Sequence, residues 1–334
     1  MKKLVFNSIA VLMAAMTFSC QQADQFAETD AAGAAVTRAY GDKTPKITIY
    51  VETNDVNPLN AGDYVLSDGT PYADIVEFFA ANIHKETVGN EVRPTLYLND
   101  KMTNLLENGG ADKYVKGLQA KGIKVVLTVL GDWQNMGVAN MNDTQAEQFA
   151  SILAYAVEKY GLDGIGFDDE YANYSGSLVS GSFGNIITKL RGKIGNDKLI
   201  TVFQYGNIGS SQIGAAAGAL IDYAYTNFSP LNENIAIAGV TKAHYAPISI
   251  NLGSTYSSIA IRRYGTNTKT ITNAGYGAIM HFNLRTTSDV NSTSLFSTIA
   301  TNAYGQTVTC ENGNRAQDWT FVPSGYTITI DDVK

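Results

Sequence analysis

The segment Leu162-Asp-Gly-Ile-Gly-Phe-Asp-Asp-Glu-Tyr171 concentrates acids at the end of an apolar run. It follows a helix-forming stretch and reads as a strand running into a loop. Side chains alternate along a strand, so Gly166, Asp168 and Glu170 share one face. The Cα atoms of Asp168 and Glu170 are then about 6–7 Å apart. Carboxyls that close raise each other's pKa and tend to share a proton. Such a pair keeps Glu170 protonated near neutral pH, ready to act as a general acid. The same acids also suit a solvated strand end or a Ca²⁺ loop. Their spacing, however, lacks the alternating ligands and terminal Glu of the twelve-residue Ca²⁺ loop. A Mg²⁺ site fits the spacing too, but nothing elsewhere in the sequence pairs with it.

Composition narrows the field. The chain has 334 residues, a net charge of −7 and 45% hydrophobic residues, enough for a large core and unlike a disordered chain. An acidic balance with no dense basic run excludes nucleic acid as the main partner. Two cysteines exclude a disulfide scaffold, and three histidines leave little for a His-rich metal site. The 19 tyrosines and 13 phenylalanines accompany only 2 tryptophans, polar aromatic surface that suits sugars as well as any secreted protein.

The elements that must position these acids alternate. Strands are expected at 47–51, 94–98, 124–130, 164–167, 199–204, 221–225, 248–252 and 277–282. Residues 75–80 read equally as helix or strand. Lys124-Val-Val-Leu-Thr-Val-Leu130 is continuous and β-branched, the mark of a strand buried on both faces. Helices are expected at 112–121, at 143–160 (capped by Asp143 or Thr144 and closed by Gly161), at 183–194, near 257–273 and near 290–303. Buried strands alternating with helices mean a parallel sheet. About eight of them over roughly 260 residues match a (β/α)8 TIM barrel spanning 46–305. The small residues Gly214-Ala-Ala-Ala-Gly218 predict a missing or shortened helix after strand five. A doubly wound sheet is the alternative, but Gly206-Asn-Ile-Gly-Ser-Ser lacks the full phosphate-loop fingerprint. A C-terminal β extension covers 306–334, with Trp319–Val322 and Tyr326–Ile330 expected as a hairpin. In a barrel the catalytic loops cluster at the strand C-termini. Asp132, Trp133 and Gln134 fall at that rim, where Trp133 suits a sugar platform, and Tyr171 and Tyr174 flank the acids.

At the other end of the chain, Lys2 and Lys3 precede an apolar run that is too short to span a membrane. Thr17-Phe-Ser-Cys20 closes that run in the manner of a bacterial lipobox. Residues 1–19 are therefore read as a lipoprotein signal peptide, Cys20 as the lipidated residue and 20–45 as a flexible tether. The expected location is a lipid-anchored protein of the bacterial outer membrane, facing the cell surface.

The acidic segment resembles the catalytic strand of glycoside hydrolase family 18. It is most similar to the endo-β-N-acetylglucosaminidases of the endoglycosidase H and F1 type. The resemblance extends to Gly62-Asp-Tyr-Val-Leu-Ser-Asp-Gly69, Phe79-Ala-Ala-Asn-Ile83, Gly122–Gly131, Asp222-Tyr-Ala224 and Phe282-Asn-Leu284. It implies that 74–83 is a strand. It implies that Glu170 protonates the glycosidic oxygen and that Asp168 orients the 2-acetamido group of the sugar. The acetamido oxygen then attacks the anomeric carbon, a substrate-assisted, retaining route with no enzyme nucleophile and no cofactor or metal. Tyr225, Asn227, Gln204, Phe282 and Asn283 are implied to floor the sugar and hold its acetamido group. Asp163 is a supporting residue that anchors the strand end. One position departs from the pattern: Gly166 stands where the family has an Asp beneath the one matching Asp168. A lower rate or a shifted pH optimum is expected from it. The implied substrates are high-mannose or hybrid Asn-linked glycans, met by a monomer. A glycan-binding lipoprotein with a weakened barrel is the competing reading, with Gly166 for it and Glu170 against it. A chitinase is the third. His281 is a weak further candidate, and His84 is left out of the site.

Overall fold

The computed structural model describes residues 43–174, 176, 178–204, 208–284, 289–318 and 324–333, together with Glu28–Thr29 and Ala35–Val36, which pair antiparallel. Met1–Ala39 and Tyr40–Lys334 are separate units, and the second contains the barrel. The signal segment, Cys20 and most of the tether lie outside the described residues.

Eight strands form the barrel: β1 (Lys46–Glu52), β2 (Ile75–Val88), β3 (Lys124–Gly131), β4 (Gly164–Asp168), β5 (Leu199–Phe203), β6 (Tyr223–Tyr225), β7 (Tyr245–Ala246 and Ser249–Asn251) and β8 (Ala278–Leu284). Neighbours run parallel, and β8 returns to pair with β1. The first piece of β7 pairs with β6 and the second with β8. Pro247 lies between the pieces and has no N–H to carry the ladder across. The ambiguous 75–80 segment is strand, as the resemblance implies.

Alternation along the strands separates two apolar clusters. Val125, Leu127 and Val129 of β3, with Ile165 and Phe167 of β4, face the helices. Val126, Tyr50, Phe203, Tyr223, Tyr225 and Met280 form a second cluster inside the barrel. Among these inward residues Thr48, Glu77, Thr128 and Thr201 make a buried polar layer. A barrel interior filled by side chains leaves room for ligands only at its mouth.

Three acids fix the other end. Asp74, Asp163 and Asp222 each precede an even-numbered strand and accept the N–H of Ile47, Val125 and Ile200 at 2.8, 2.9 and 2.8 Å. Each also meets a cation: Lys43 at 3.3 Å, Lys124 at 2.9 Å and Arg191 at 2.5 Å. Asp163 thus anchors the start of β4, the opposite end from Asp168.

The helix Asp143–Tyr160 is capped by Asn142, one residue before the expected cap, because Gln145 completes a reciprocal capping box with it. Gly161 ends it with φ 63°, in the left-handed region that favours glycine. Among the described residues between β5 and β6 only the four-residue turns Ile208–Ser211 and Ala215–Gly218 form, in line with the small residues there. A Cβ at Gly218 would meet the carbonyl oxygen of Ala238 at 1.9 Å, so this stretch packs backbone to backbone. The described residues between β1 and β2, and between β6 and β7, hold no α-helix, only the 3-10 turns Pro58–Asp63 and Lys242–His244. The pattern is therefore more eroded than one shortened helix. Glu91–Leu98, expected as a strand, pairs antiparallel with the extension of β2 and lies outside the barrel.

Only the second strand of the expected C-terminal hairpin falls among the described residues. Val308–Cys310 pairs antiparallel with Tyr64–Leu66, and Tyr326–Ile328 with Leu96–Leu98. Trp319–Val322 lies outside the described residues. The tail residues thus return to two segments inserted early in the barrel.

Candidate active site

Asp168 is the last residue of β4, and the chain turns sharply after it. The Glu170 N–H donates to the Asp168 carbonyl at 2.9 Å. The end of β3 clamps the following residues: Gly131 N–H donates to the Glu170 carbonyl at 2.9 Å and Trp133 N–H to that of Tyr171 at 2.7 Å. Gly131 makes this approach possible, since a Cβ there would sit 2.4 Å from the Ala172 backbone. Both carboxylates are buried. Burial, then the charges of Glu170, Asp169, Glu77 and Glu52, push Asp168 well above the carboxylate range. Burial also raises Glu170, which keeps it protonated to higher pH, as a general acid requires. Asp169 is tied off: it accepts the hydroxyl proton of Tyr174, whose oxygen accepts the Ala139 N–H at 3.0 Å. Tyr174 is therefore engaged with the loop itself.

Beside Asp168, the ends of β5 and β6 supply amides. Three buried oxygens lack a hydrogen-bond partner: Asp168 Oδ1, Gln204 Oε1 and Asn227 Oδ1. Buried polar atoms are normally paired, so a group of orphans at three successive strand ends marks a place for a polar ligand. Tyr225 is wholly buried beneath them and offers no open face. Its hydroxyl accepts from Thr48 at 3.1 Å and donates to Glu77 at 3.4 Å, and its ring meets Tyr50 edge-on at 5.9 Å. It forms part of the floor.

Aromatic residues stand around the mouth. Trp133, Tyr171 and Phe228 are 63%, 50% and 55% exposed, far more than apolar packing calls for. Trp133 and Tyr171 lie against each other at 5.6 Å, and both have φ 56°. Asn283, at the end of β8, has φ 57° and donates to Asn251 at 3.0 Å. Side-chain-bearing residues held in that region cost conformational energy and collect at functional sites. A hollow of about 260 Å³ lies among Glu52, Asn82, Asp132, Trp133 and Tyr171. A second, of about 490 Å³, is lined by Phe228, Asn251, Tyr256, Phe282 and Asn283. Of the rim residues expected from sequence, Asp132, Trp133 and Tyr171 line the first and Phe282 and Asn283 the second, whereas Gln134 lines neither and donates to the Asp132 carbonyl at 3.1 Å.

Sequence reasoning missed Phe228, which bridges Phe203 at 5.5 Å and Phe282 at 5.3 Å. It follows Asn227 directly, so a strand-end aromatic was available as a signal. It also missed Glu77, whose only signal is an acid inside the apolar run Ile75-Val-Glu-Phe-Phe79. From sequence Gly166 leaves a gap under Asp168. The structure closes that gap: a Cβ on Gly166 would lie 2.1 Å from Glu77 Oε2 and 2.8 Å from Thr201 Oγ1.

The histidines stand apart. His84 pairs with Asp132 at 2.7 Å and stacks on Tyr97. His281 is fully buried, with Nε2 3.1 Å from the Tyr72 hydroxyl, and burial lowers its pKa to about 3. It is neutral in the fold but takes up a proton near pH 6.5 when unfolded. Its contribution to stability is present above pH 6.5 and is lost as pH falls toward 3. Between pH 6.5 and 5 the wild type should lose about 2 kcal/mol from this source, a loss absent in His281→Gln. Urea unfolding of both proteins at the two pH values measures it. Equal pH dependence in the two contradicts the assignment.

A parallel barrel with a buried acid pair at its mouth, amides beside it and exposed aromatics around it is the arrangement that the resemblance to glycoside hydrolase family 18 implies. No family model matches the chain. An endo-β-N-acetylglucosaminidase from Flavobacterium sp. (strain SK1022) is 33% identical over 72% of this chain and 75% of its own length. Endo-β-N-acetylglucosaminidase F1 from Elizabethkingia meningoseptica is 31% identical over 82% of each chain. Among solved structures, Bacteroides thetaiotamicron EndoBT-3987 with a Man5GlcNAc product superposes with a TM-score of 0.69 at 25% identity, over 85% of this chain and 67% of its own. The chain belongs to the endo-β-N-acetylglucosaminidases, the F1 type within glycoside hydrolase family 18. It is an enzyme, and its reaction is glycosidic hydrolysis.

Proposed function

We propose that the enzyme cuts the β-1,4 bond between the two core N-acetylglucosamines of Asn-linked high-mannose or hybrid glycans, by a retaining, substrate-assisted route. The observation that carries this reading is the buried, unpartnered Asp168 Oδ1 next to unpartnered amide oxygens of Gln204 and Asn227. An N-acetylglucosamine supplies the donors that pocket lacks. Its acetamido N–H donates to Asp168 Oδ1, and its hydroxyl groups donate to the amide oxygens of Gln204 and Asn227. Held in this way, the carbonyl oxygen faces the anomeric carbon. Glu170 passes its proton to the glycosidic oxygen, the C–O bond breaks, and an oxazolinium ring closes. Glu170, now a carboxylate, takes a proton from water, which opens the ring from the face the leaving group occupied. The Man5GlcNAc product bound to the Bacteroides relative supports the high-mannose preference. Trp133 and Tyr171 on one side, and Phe228 and Phe282 on the other, offer ring faces to the sugars that flank the cut.

Proton NMR of the first product released tests the route. The β-anomer is expected to accumulate before mutarotation. The α-anomer appearing first contradicts it.

Cys20 carries a lipid that holds the enzyme at the bacterial outer membrane, a reading that rests on the leader sequence. The full chain, expressed in its host, is expected to sediment with membranes, and Cys20→Ala to be released. Equal partitioning of the two contradicts anchoring.

A further inference from the structure

Among the buried acids that the mechanism above does not use, one meets no cation. Glu77 of β2 is fully buried inside the barrel, with no cation at salt-bridge distance among the described residues. A carboxylate placed there without a function is costly. Its surroundings are built for it. Thr128 Oγ1 donates to Oε2 at 2.7 Å, Thr201 Oγ1 to Oε1 at 2.6 Å and the Tyr225 hydroxyl to Oε1 at 3.4 Å. Thr128 and Thr201 are the residues in register with Gly166 on either side of it. Glu77 therefore enters from β2, past β3, into the space that the missing side chain of Gly166 leaves open. Asp168 is the next inward residue above Gly166 on β4.

We propose that Glu77 is a positioning residue for the hydrolysis: reaching across from β2 into the space above Gly166, it supports Asp168 from below and sets when Asp168 holds a proton. This rests on the acetamido-orienting role given to Asp168 above. The groups that face Glu77 are Thr48 and Tyr50 from β1, Thr128 from β3, Gly166 and Asp168 from β4, Thr201 from β5 and Tyr225 from β6. Of these only Asp168 and the two tyrosines titrate, and burial holds both tyrosines well above their usual value. Burial raises Glu77 to about 7, against the hydrogen bonds that favour its charged form. Its negative charge in turn raises Asp168. Two like-charged groups that close are coupled, so one proton is shared across the pair. Binding an acetamido N–H favours the ionised form of Asp168 and sends the shared proton down to Glu77. When Glu77 is already protonated it cannot take the proton that Asp168 must release, and the exchange has no acceptor. The rate therefore rises as pH rises through the Glu77 transition.

The geometry also makes a steric statement. An Asp introduced at Gly166 collides with Glu77, whereas Glu77→Ala makes room for one. The carboxylate can thus be moved from β2 to β4.

The test compares the full chain as wild type, Glu77→Gln, Gly166→Asp and the double variant Glu77→Ala/Gly166→Asp. Each is followed by kcat and KM against pH on a high-mannose glycopeptide, and by carboxyl carbon NMR of Asp168. Glu77→Gln is expected to lower kcat roughly 10- to 100-fold with KM nearly unchanged, to remove the limb near pH 7, and to lower the Asp168 pKa. Gly166→Asp alone should lose most activity, and the double variant should regain it with a displaced pH profile. A wild-type profile and an unmoved Asp168 resonance in Glu77→Gln overturn the proposal. If Glu77→Gln does not fold, the double variant decides: activity no higher than in Gly166→Asp overturns it. If the wild type releases no glycan, the proposed function fails. The Asp168 titration then still tests the coupling by itself.

Discussion

Glu170→Gln is expected to lose turnover by about 10³-fold or more while keeping its melting temperature and its affinity for glycan. General acid catalysis is worth about 10²–10⁴-fold, and departure of a sugar alkoxide without a proton lies at the demanding end. The substitution preserves shape, and the backbone of Glu170 stays clamped by Gly131. The loss therefore belongs to chemistry, and kcat should carry it with KM close to wild type. A glycan complex of this variant, measured by calorimetry, gives the affinity separately. Weak binding together with lost turnover assigns Glu170 to holding the sugar instead.

Asp168→Asn should be nearly as severe, with kcat down about 10²–10³-fold, for a different reason. Asn has almost the same shape, yet it cannot place a negative charge beside the forming oxazolinium. It also presents an amide N–H that competes for the acetamido carbonyl and turns it away from the anomeric carbon. The paired measurement is a substrate bearing a hydroxyl in place of the acetamido group. Wild type should lose on it most of what Asp168→Asn loses on the natural sugar, and the two losses should not add. Additive losses mean that Asp168 acts on something other than the acetamido group.

The legible parts of the molecule are those that depend on neighbours in sequence. The unbroken apolar run of β3, the Leu162–Tyr171 segment and the small residues after β5 each carry their structure locally. Asp163 was readable as an anchor of the strand, and the structure places that anchor at the start of β4. What escaped depends on residues far apart. Glu77 lies 89 positions before Gly166, and only strand register brings its carboxylate there. The burial of Tyr225 follows from the same layer: its hydroxyl is taken by Thr48 and Glu77, partners that a strand-end position does not reveal. The described pairings of the tail were not legible for a related reason: Val308–Cys310 and Tyr326–Ile328 pair with Tyr64–Leu66 and Leu96–Leu98, over 200 residues away. The cap at Asn142 was missed by a single residue because Gln145 was read as an ordinary helical position.

These long-range contacts bear on function more than the local ones do. The barrel scaffold and the acid pair make a glycosidase. In the proposed reaction the rim aromatics and the orphaned amides hold the sugar. The most direct measurement is the intact mass of a high-mannose glycoprotein after incubation with wild type and with Glu170→Gln. The account predicts that wild type leaves a single N-acetylglucosamine on each Asn and frees the rest of the glycan whole, while Glu170→Gln leaves the mass unchanged. Release of the entire glycan from Asn, trimming from the outer mannoses, or equal cleavage by Glu170→Gln would contradict it.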